Sequence, residues 1–164
     1  MGFQWALQYC RTAKFVMKTD DDMYINIPAL LIRLKENNDS LQTAVGGYYT
    51  IAESTIRNKK SKWYASYESY PQNSYPDICA GTGYVTTINV VSKVIKISRN
   101  IPFFHIEDVY VALCIKKLGY RCHSLKGFSD RPTPDCPCLY KNNNLVTAHE
   151  VSITQMQQIW NTKC

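Results

Sequence analysis

Three consecutive carboxylates, Asp20, Asp21 and Asp22, are the residues of this chain best suited to do chemistry. They follow Phe15–Thr19, an apolar run that predicts a short and mostly buried strand. Adjacent negative charges repel one another unless a positive charge lies among them. Side chains alternate along an extended segment, so Asp20 and Asp22 would share one side and offer hard oxygen donors to a divalent ion, magnesium or manganese rather than zinc. The alternative is a solvated acidic turn that leads into the next helix.

A second acidic pair, Glu107 and Asp108, precedes an apolar helical pattern that ends near Gly119. Negative charge in the first turn of a helix is stabilised by the helix dipole, so position alone favours a capping role for both residues over catalysis. His149 stands before a short helix, and a lone histidine at such a place is usually structural. From position alone, none of these three residues is assigned to catalysis.

Aromatic residues and prolines are concentrated between Lys62 and Pro76, where the prolines exclude a long helix. Trp63 belongs to this segment, and such aromatic density lines carbohydrate-binding or base-binding clefts, although it serves equally well as a wall between core and water. The stretch Cys79–Val85 follows, and its glycines allow the backbone to approach a ligand closely. It is not a dinucleotide-binding fingerprint, because the third glycine and the following helix are missing.

The elements that must position these residues alternate between helices and strands, which predicts an α/β fold. Asn26 is the expected N-cap of a helix with Pro28 in its first turn, and Ser152 with Gln155 has the spacing of a capping box. The predicted helices cover about 4–12, 27–36, 89–100, 107–118 and 153–161, the strands 15–19, 44–49 and 120–125, and the loops 50–62 and 126–144. Paired glycines in the second strand suggest a bulge or a close backbone approach. A helix that feeds a central strand normally follows another strand, so we expect the sheet to be incomplete at its N-terminal side.

Length and composition predict one globular domain over residues 1–164, with 45% hydrophobic and 20% charged residues. The net charge of +6 suits an anionic ligand, but lysine and arginine are scattered along the chain, so we expect no nucleic-acid partner. No apolar run reaches the roughly 20 residues of a membrane span.

Seven cysteines favour an oxidising compartment. The absence of a Cys-x-x-Cys pair disfavours a rival interpretation, a cysteine-rich zinc-binding interaction domain. An odd number leaves at least one thiol without a partner, and Cys164, at a terminus, is the expected one. Cys79 is expected in a bonded or buried setting.

Taken together in their order along the chain, several blocks resemble one known family. The family is that of the β1,3-galactosyltransferases and β1,3-N-acetylglucosaminyltransferases, glycosyltransferase family 31. The similarity covers nearly the whole chain, but it reaches only the central and C-terminal parts of the family's catalytic domain. The blocks are Ala13–Asp22, Lys62–Tyr64, Tyr75–Pro76, Cys79–Val85, Glu107–Val111 and Val146–His149.

The resemblance implies a GT-A-like fold, a mostly parallel sheet flanked by helices, which binds a UDP-sugar at the carboxyl ends of its strands. It implies Mn²⁺ as cofactor, with Asp22 and His149 as ligands and Asp20 as a further candidate. Asp108 matches the presumed catalytic base, while Glu107 is expected to orient it or cap the helix. The residues expected to contact donor or acceptor are Asp21, Lys62, Trp63, Gly81, Thr82 and Gly83.

The resemblance also implies an activity and a location. We expect an inverting transfer of galactose from UDP-galactose in β1,3 linkage to a glycan on a glycoprotein or glycolipid, at the lumenal side of the Golgi membrane. The family's membrane anchor and first nucleotide-binding strands have no counterpart here, so this chain alone is expected to transfer sugar poorly. Ala80 resembles the N-acetylglucosaminyl branch, whereas Thr82 and Glu107 resemble the galactosyl branch. The alternatives are therefore a UDP-N-acetylglucosamine-dependent transferase and a truncated binding module without catalysis.

Overall fold

A computed structural model describes residues 2–132 and 136–164 of the chain. Part of the predicted 126–144 loop, residues 133–135, lies outside the described residues. The helices are α1 Gly2–Tyr9, α2 Ile27–Glu36, α3 Ile88–Ser98, α4 Glu107–Lys117, α5 Pro137–Tyr140 and α6 Ile153–Asn161, with a 3₁₀ turn at Ser40–Gln42. The strands are β1 Phe15–Thr19, β2 Tyr24–Ile25, β3 Ala44–Thr50, β4 Ile78–Thr87, β5 Arg121–Ser124 and β6 Thr147–Ala148.

The main sheet has the strand order β1-β4-β3-β5. Strand β4 is antiparallel to both of its neighbours, while β3 and β5 are parallel. Consequently β1, β3 and β5 all run in one direction and β4 alone runs against them. The predicted α/β class is confirmed. Three of the four strands in the main sheet run in the same direction, as expected of a mostly parallel sheet, and β4 is the exception.

A second sheet consists of β2 and β6, which pair Tyr24 with Ala148 and Ile25 with Thr147. Neither strand was predicted, because an alternating pattern cannot be recognised in two residues. Their pairing joins the segment after the acidic run to the segment before α6. This pairing therefore brings His149 next to Asp22.

Helix termini follow the local sequence signals. The side chain of Asn26 accepts a hydrogen bond of 3.2 Å from the backbone N–H of Ala29, as expected of an N-cap. Ser152 and Gln155 form both hydrogen bonds of a capping box at the start of α6. Gly119 follows α4 with a φ of +71°, the left-handed conformation that glycine adopts without steric cost.

The paired glycines of β3 serve a close approach of two backbones. The register between β3 and β4 shifts between Gly47 and Tyr49, as the predicted bulge requires. A Cβ added at Gly47 would lie 2.7 Å from the carbonyl oxygen of Gly83, which leaves no room for a side chain. Gly83 of β4 therefore lies directly against Gly47 of β3.

The sheet separates two hydrophobic clusters. Neighbouring β4 residues Tyr84 and Val85 belong to different clusters, as expected when successive side chains point to opposite faces of a sheet. Val85 packs with Leu30 and Leu34 of α2, and Tyr84 packs with residues of α3 and α4 such as Val94. Helices on both faces thus hold the sheet, and with it the strand ends that carry the acidic residues. None of the helices in the described ranges is long and apolar enough to cross a bilayer.

The prediction that Cys164 is unpaired was wrong, because Cys164 forms a disulfide with Cys138. The reason is that α6 is not a loose terminus. Its Ile159 packs with Tyr140 of α5, which brings the chain end against Cys138. The expectation for Cys79 is confirmed, since this residue is buried with 3% exposure.

Candidate active site

A cavity of about 550 Å³ opens where β1 ends and the glycine-rich part of β4 begins. It collects most of the residues singled out from the sequence, although they come from distant parts of the chain. Glu107 and Gly83 are the predicted site residues that the structure places outside this lining, and both lie next to it. The predicted residues that line the cavity are Asp20, Asp21, Asp22, Lys62, Trp63, Gly81, Thr82, Asp108 and His149.

The acidic run lies in a turn. Strand β1 ends at Thr19, and Asp21 and Asp22 form a turn before β2. The expectation of an extended segment with alternating side chains was therefore wrong, because the strand ends before the first aspartate. All three carboxylates nevertheless face the cavity.

Asp22 and His149 lie together at one side of the cavity, held by the β2–β6 pairing. The backbone N–H of Val151 also donates a 2.9 Å hydrogen bond to the carbonyl of Asp22. His149 Nε2 lies 3.3 Å from Asp22 Oδ2, and His149 Nδ1 lies 3.1 Å from the carbonyl oxygen of Asp130. A carbonyl oxygen can only accept, so Nδ1 carries the proton in this contact. With the proton at Nδ1, Nε2 is the ring nitrogen that faces the carboxylate of Asp22.

Two acceptors that face each other need a cation or a proton between or beside them. The arrangement fits a divalent metal ion, because ligand atoms at neighbouring corners of its coordination shell, each about 2.1 Å from the ion, lie about 3 Å apart. Asp22 Oδ1 is buried and has no hydrogen-bond partner among the residues that the structure describes. In the same described ranges no group of three His, Cys, Asp or Glu side chains could hold a metal. The protein would therefore supply few ligands, and a bound anion and water would supply the rest.

Lys18 is the positive charge among the carboxylates, and the sequence analysis missed it. Its Nζ lies 2.6 Å from Asp20 Oδ1 and 3.4 Å from Glu107 Oε2, and it also donates to the carbonyl oxygen of Gly81. Lys18 lies in β1 two residues before Asp20, the first residue after the strand, and this short separation lets the two side chains meet. That spacing is the signal that could have identified the pair.

The neighbouring carboxylates of Asp20 and Glu107 keep the Lys18 ammonium group protonated. Burial lowers the pKa of its ammonium group, but the hydrogen bond to Asp20 and the charge of Glu107 outweigh that cost, so the pKa is raised overall. Lys18 stays positive at neutral pH and neutralises part of the acidic run. Because Asp20 is engaged by Lys18, Asp22 is the carboxylate with the freer oxygen for a metal ion.

Asp108 lies beside this group, in the first turn of α4, and its Oδ2 and Lys18 Nζ are each 3.4 Å from the point that a Cβ on Gly81 would occupy. Its Oδ2 accepts a 3.0 Å hydrogen bond from the backbone N–H of Gly81, and its Oδ1 accepts one of 2.8 Å from Val109 N–H. Each carboxylate oxygen has a further lone pair, so Asp108 can still accept a proton from a molecule in the cavity. The helix start thus positions Asp108 without using all of its acceptor capacity.

Glu107 precedes Asp108 in the first turn of α4, and its half-exposed side chain contacts Tyr84 and Lys18. Its carboxylate accepts a hydrogen bond from the Tyr84 hydroxyl and pairs with Lys18. Burial of Tyr84, together with the negative charge of Glu107, raises the pKa of that hydroxyl, which stays protonated as the donor. This environment suits an orienting residue, and it links the β1 end to α4.

The aromatic segment forms the opposite wall of the cavity. Trp63 is half exposed, and the ammonium group of Lys62 lies 4.4 Å from the centre of its ring. Arg57 holds this segment in place, because its guanidinium donates to the carbonyl oxygens of Ala65, Tyr70 and Gln72 at 2.6–2.9 Å. Sequence reasoning missed Arg57, since nothing in a basic loop indicates which carbonyls a side chain will reach.

The profile of the family described as galactosyltransferase matches residues 1–126. The chain is 35% identical over 161 residues to beta-1,3-galactosyltransferase 1 of Homo sapiens, covering 98% of this chain and 49% of that protein. It is 35% identical over 163 residues to beta-1,3-galactosyltransferase 5 of Homo sapiens, covering 98% of this chain and 52% of that protein. The chain thus spans about half the length of these curated relatives.

Proposed function

The chain belongs to the galactosyltransferase family, and on that premise we propose that it forms the metal-binding and acceptor-activating part of a β1,3-galactosyltransferase. The proposed reaction moves galactose from UDP-galactose to a glycan on a glycoprotein or glycolipid, at the lumenal side of the Golgi membrane. The observation that supports it best is the meeting of the Asp22–His149 pair and Asp108 in one cavity.

An inverting transfer is a single displacement at the anomeric carbon. Asp108 takes the proton of the acceptor hydroxyl as its oxygen attacks the sugar, and the diphosphate leaves from the opposite side. The chain holds Asp108 ready for this step by the N–H groups of Gly81 and Val109. Glu107 and Lys18 position the surrounding backbone, since Lys18 binds the carbonyl of the same Gly81.

The leaving diphosphate carries the charge that the site must neutralise. Asp22 and His149, with Asp20 as a further candidate, would hold Mn²⁺, which supplies that positive charge when bound. The proton on His149 Nδ1, fixed by the Asp130 carbonyl, leaves Nε2 available as a ligand. Asp21 lines the cavity next to this group, where a donor sugar would lie.

Recognition of the sugars is assigned to the rest of the lining. The exposed ring of Trp63 offers an apolar face on which a sugar ring can pack, and Lys62 adds a donor beside it. Thr82 Oγ1 is buried and without a hydrogen-bond partner within the described ranges, so it is available to a hydroxyl of the bound sugar. Thr82 and Glu107 favour galactose, and UDP-N-acetylglucosamine is the alternative donor.

The proposal is tested by transfer of radiolabelled galactose from UDP-galactose to a β-linked N-acetylglucosamine acceptor in the presence of MnCl₂. Asp108→Asn keeps the shape of the side chain but not its basicity, so we expect transfer to fall about 10²- to 10⁴-fold. Asp39→Asn, an exposed carboxylate in the 3₁₀ region, is the matched control. Full transfer by Asp108→Asn would refute the assignment of the base.

Binding is measured in parallel, because this chain alone is expected to transfer sugar poorly. Titration calorimetry with UDP-galactose should show binding that requires Mn²⁺ and survives in Asp108→Asn. Preference for UDP-N-acetylglucosamine would favour the alternative donor. Metal-dependent donor binding together with no transfer, even after the chain is joined to the remaining half of a relative, would favour the binding module.

A further inference from the structure

Cys79 and Cys122 lie on the face of the sheet that packs against α3 and α4, and neither lines the candidate active site. Cys79 Sγ lies 3.5 Å from the carbonyl oxygen of Val45 and 3.6 Å from that of His123, the residue next to Cys122. Cys122 packs against the hydrophobic cluster that contains Cys79. Two cysteines on β4 and β5, the strands on either side of β3, therefore lie near each other at the edge of that cluster.

The two thiols differ in access. Cys79 is buried, whereas Cys122 is partly exposed and lines a second cavity of about 510 Å³. Lys116 and Arg121 line the same cavity, and Asp77 is the acidic residue that faces it. A small anionic reagent can therefore approach Cys122 through a cavity with two positive side chains and one negative one.

They also differ in reactivity. The hydrogen bond from the Cys79 thiol, together with one from the Cys79 backbone N–H, lowers the pKa of the Cys122 thiol despite its burial. The pKa of Cys79 is raised by its hydrogen bond with Cys122 and by burial. Cys122 is therefore the thiol that ionises at the lower pH, and Cys79 stays protonated near it.

We propose that Cys79 and Cys122 are a dithiol site that small-molecule disulfides oxidise to a cross-link between β4 and β5. In the first step the Cys122 thiolate attacks one sulfur of the oxidant, and its other sulfur leaves as a thiolate. In the second step Cys79 gives up its proton to the medium and attacks Cys122 Sγ, releasing the second thiol. Two protein thiols are oxidised to one disulfide and one disulfide is reduced to two thiols, so electrons balance.

The cross-link would act on the strand that carries the candidate active site. Cys79 lies two residues before Gly81, whose N–H donates to Asp108 and whose carbonyl accepts from Lys18. The disulfide would fix the beginning of β4 to β5 without entering the cavity that these residues line. The proposal does not depend on the function of that cavity.

The test uses the full chain with Cys10→Ser and Cys136→Ser, which removes the thiols outside the cluster. Of the five free cysteines, three then remain, Cys79, Cys114 and Cys122. The protein is equilibrated with mixtures of oxidised and reduced glutathione, quenched in acid, unfolded and alkylated with iodoacetamide. We expect the number of alkylated thiols to fall from three to one as the oxidised form increases, because two of the three cysteines in this background become bonded. A tryptic digest without reductant should join peptide 122–126 to peptide 63–93.

Two further variants in the same background separate the possibilities. Cys79→Ser should accumulate a glutathione adduct on Cys122, because the thiol that resolves the mixed disulfide is missing. Cys122→Ser should keep both remaining thiols, Cys79 and Cys114, open to alkylation under all mixtures. A peptide joining Cys79 to Cys114 would overturn the proposal, as would a stable glutathione adduct on Cys122 in the parent protein.

Discussion

His149 Nε2 lies 3.3 Å from Asp22 Oδ2, although the two residues come from opposite ends of the chain. Two short strands produce this contact, because β2 follows Asp22 and β6 precedes His149, and they pair in antiparallel register. The Asp130 carbonyl orients the imidazole ring as well, since it accepts a hydrogen bond from His149 Nδ1 and leaves Nε2 facing Asp22. The pair therefore offers a lone pair and a carboxylate to the same point in the cavity.

The first prediction concerns metal binding. Asp22→Asn and His149→Ala should each weaken Mn²⁺ binding by more than about 10-fold, because each removes one of few protein ligands. Binding is measured from the electron paramagnetic resonance signal of free Mn²⁺ during titration. Asp39→Asn, which removes an equal charge from an exposed position, should bind like the parent. Equal affinity of His149→Ala and the parent would show that the histidine is structural.

The second prediction concerns Lys18. Lys18→Met should lower the free energy of unfolding at neutral pH by about 1 kcal/mol, because Asp20 and Glu107 lose their shared cation. The value is at the low end for charged pairs, since the two carboxylates are 43% and 48% exposed and water screens them. Urea unfolding measures it, and Lys59→Met, at an exposed loop position, is the control.

The pH dependence of the Lys18 contribution follows from the direction of its shift. Folding raises the pKa above the ordinary 10.5. The stabilisation is therefore fully present below pH 10.5 and is lost as the pH rises through the folded-state value. The gap in stability between parent and Lys18→Met should be constant near neutral pH and close in the alkaline range above 10.5. A gap that closes on acidification to pH about 6 would have to come from another group.

The third prediction concerns the loop that carries Trp63. Arg57→Lys keeps the charge but not the planar fork that reaches three backbone carbonyls and stacks 3.9 Å above the Tyr67 ring. We expect faster limited proteolysis between residues 58 and 74, and a raised KM for the acceptor with a smaller change in kcat. Lys59→Arg is the control for altering a basic residue in the same loop. Unchanged cleavage in Arg57→Lys would mean that other contacts hold this wall.

The fourth prediction concerns the disulfide between Cys138 and Cys164. Cys164→Ser opens a loop with a sequence separation of 26 and should cost about 3 kcal/mol under oxidising conditions. Differential scanning calorimetry with and without reductant measures it. Cys136→Ser, the exposed neighbour, should have a much smaller effect. If Cys136→Ser were the more damaging substitution, the bond would join Cys136 to Cys164 instead.

Local chemistry predicted much of the fold. The caps at Asn26 and Ser152 and the left-handed Gly119 depend on nearby residues only, and all three are found as expected. The bulge at Gly47 was predicted for the same reason. The sequence did not predict β4 as a strand, and it did not predict two long-range contacts: β2 and β6 are too short to show a pattern, and Cys164 meets Cys138 only because α6 packs on α5.

The candidate site shows the same division. The acidic run and the Glu107–Asp108 pair were visible as types and spacings, but their meeting at one cavity depends on the sheet order. Lys18 was missed because a metal ion was expected to supply the whole balancing charge, while the lysine two residues before Asp20 already supplies part of it. The roles of Asp22, Asp108 and His149 as ligands and base stay predictions that the experiments above test.

The late position of β6 has a consequence for how the protein acquires its site. β6 and His149 lie near the C-terminal end of the chain, and their partners β2 and Asp22 lie near its beginning. During synthesis the first part of the chain leaves the ribosome long before residues 147–149 do. The acidic turn is therefore exposed for a time with no histidine beside Asp22. Contacts of such large sequence separation also form slowly, since the intervening loop must close first. A nascent chain halted before residue 147 would therefore carry the aspartates but no complete pair, and metal capture by the pair would have to follow the synthesis of residues 147–149 and the pairing of β6 with β2.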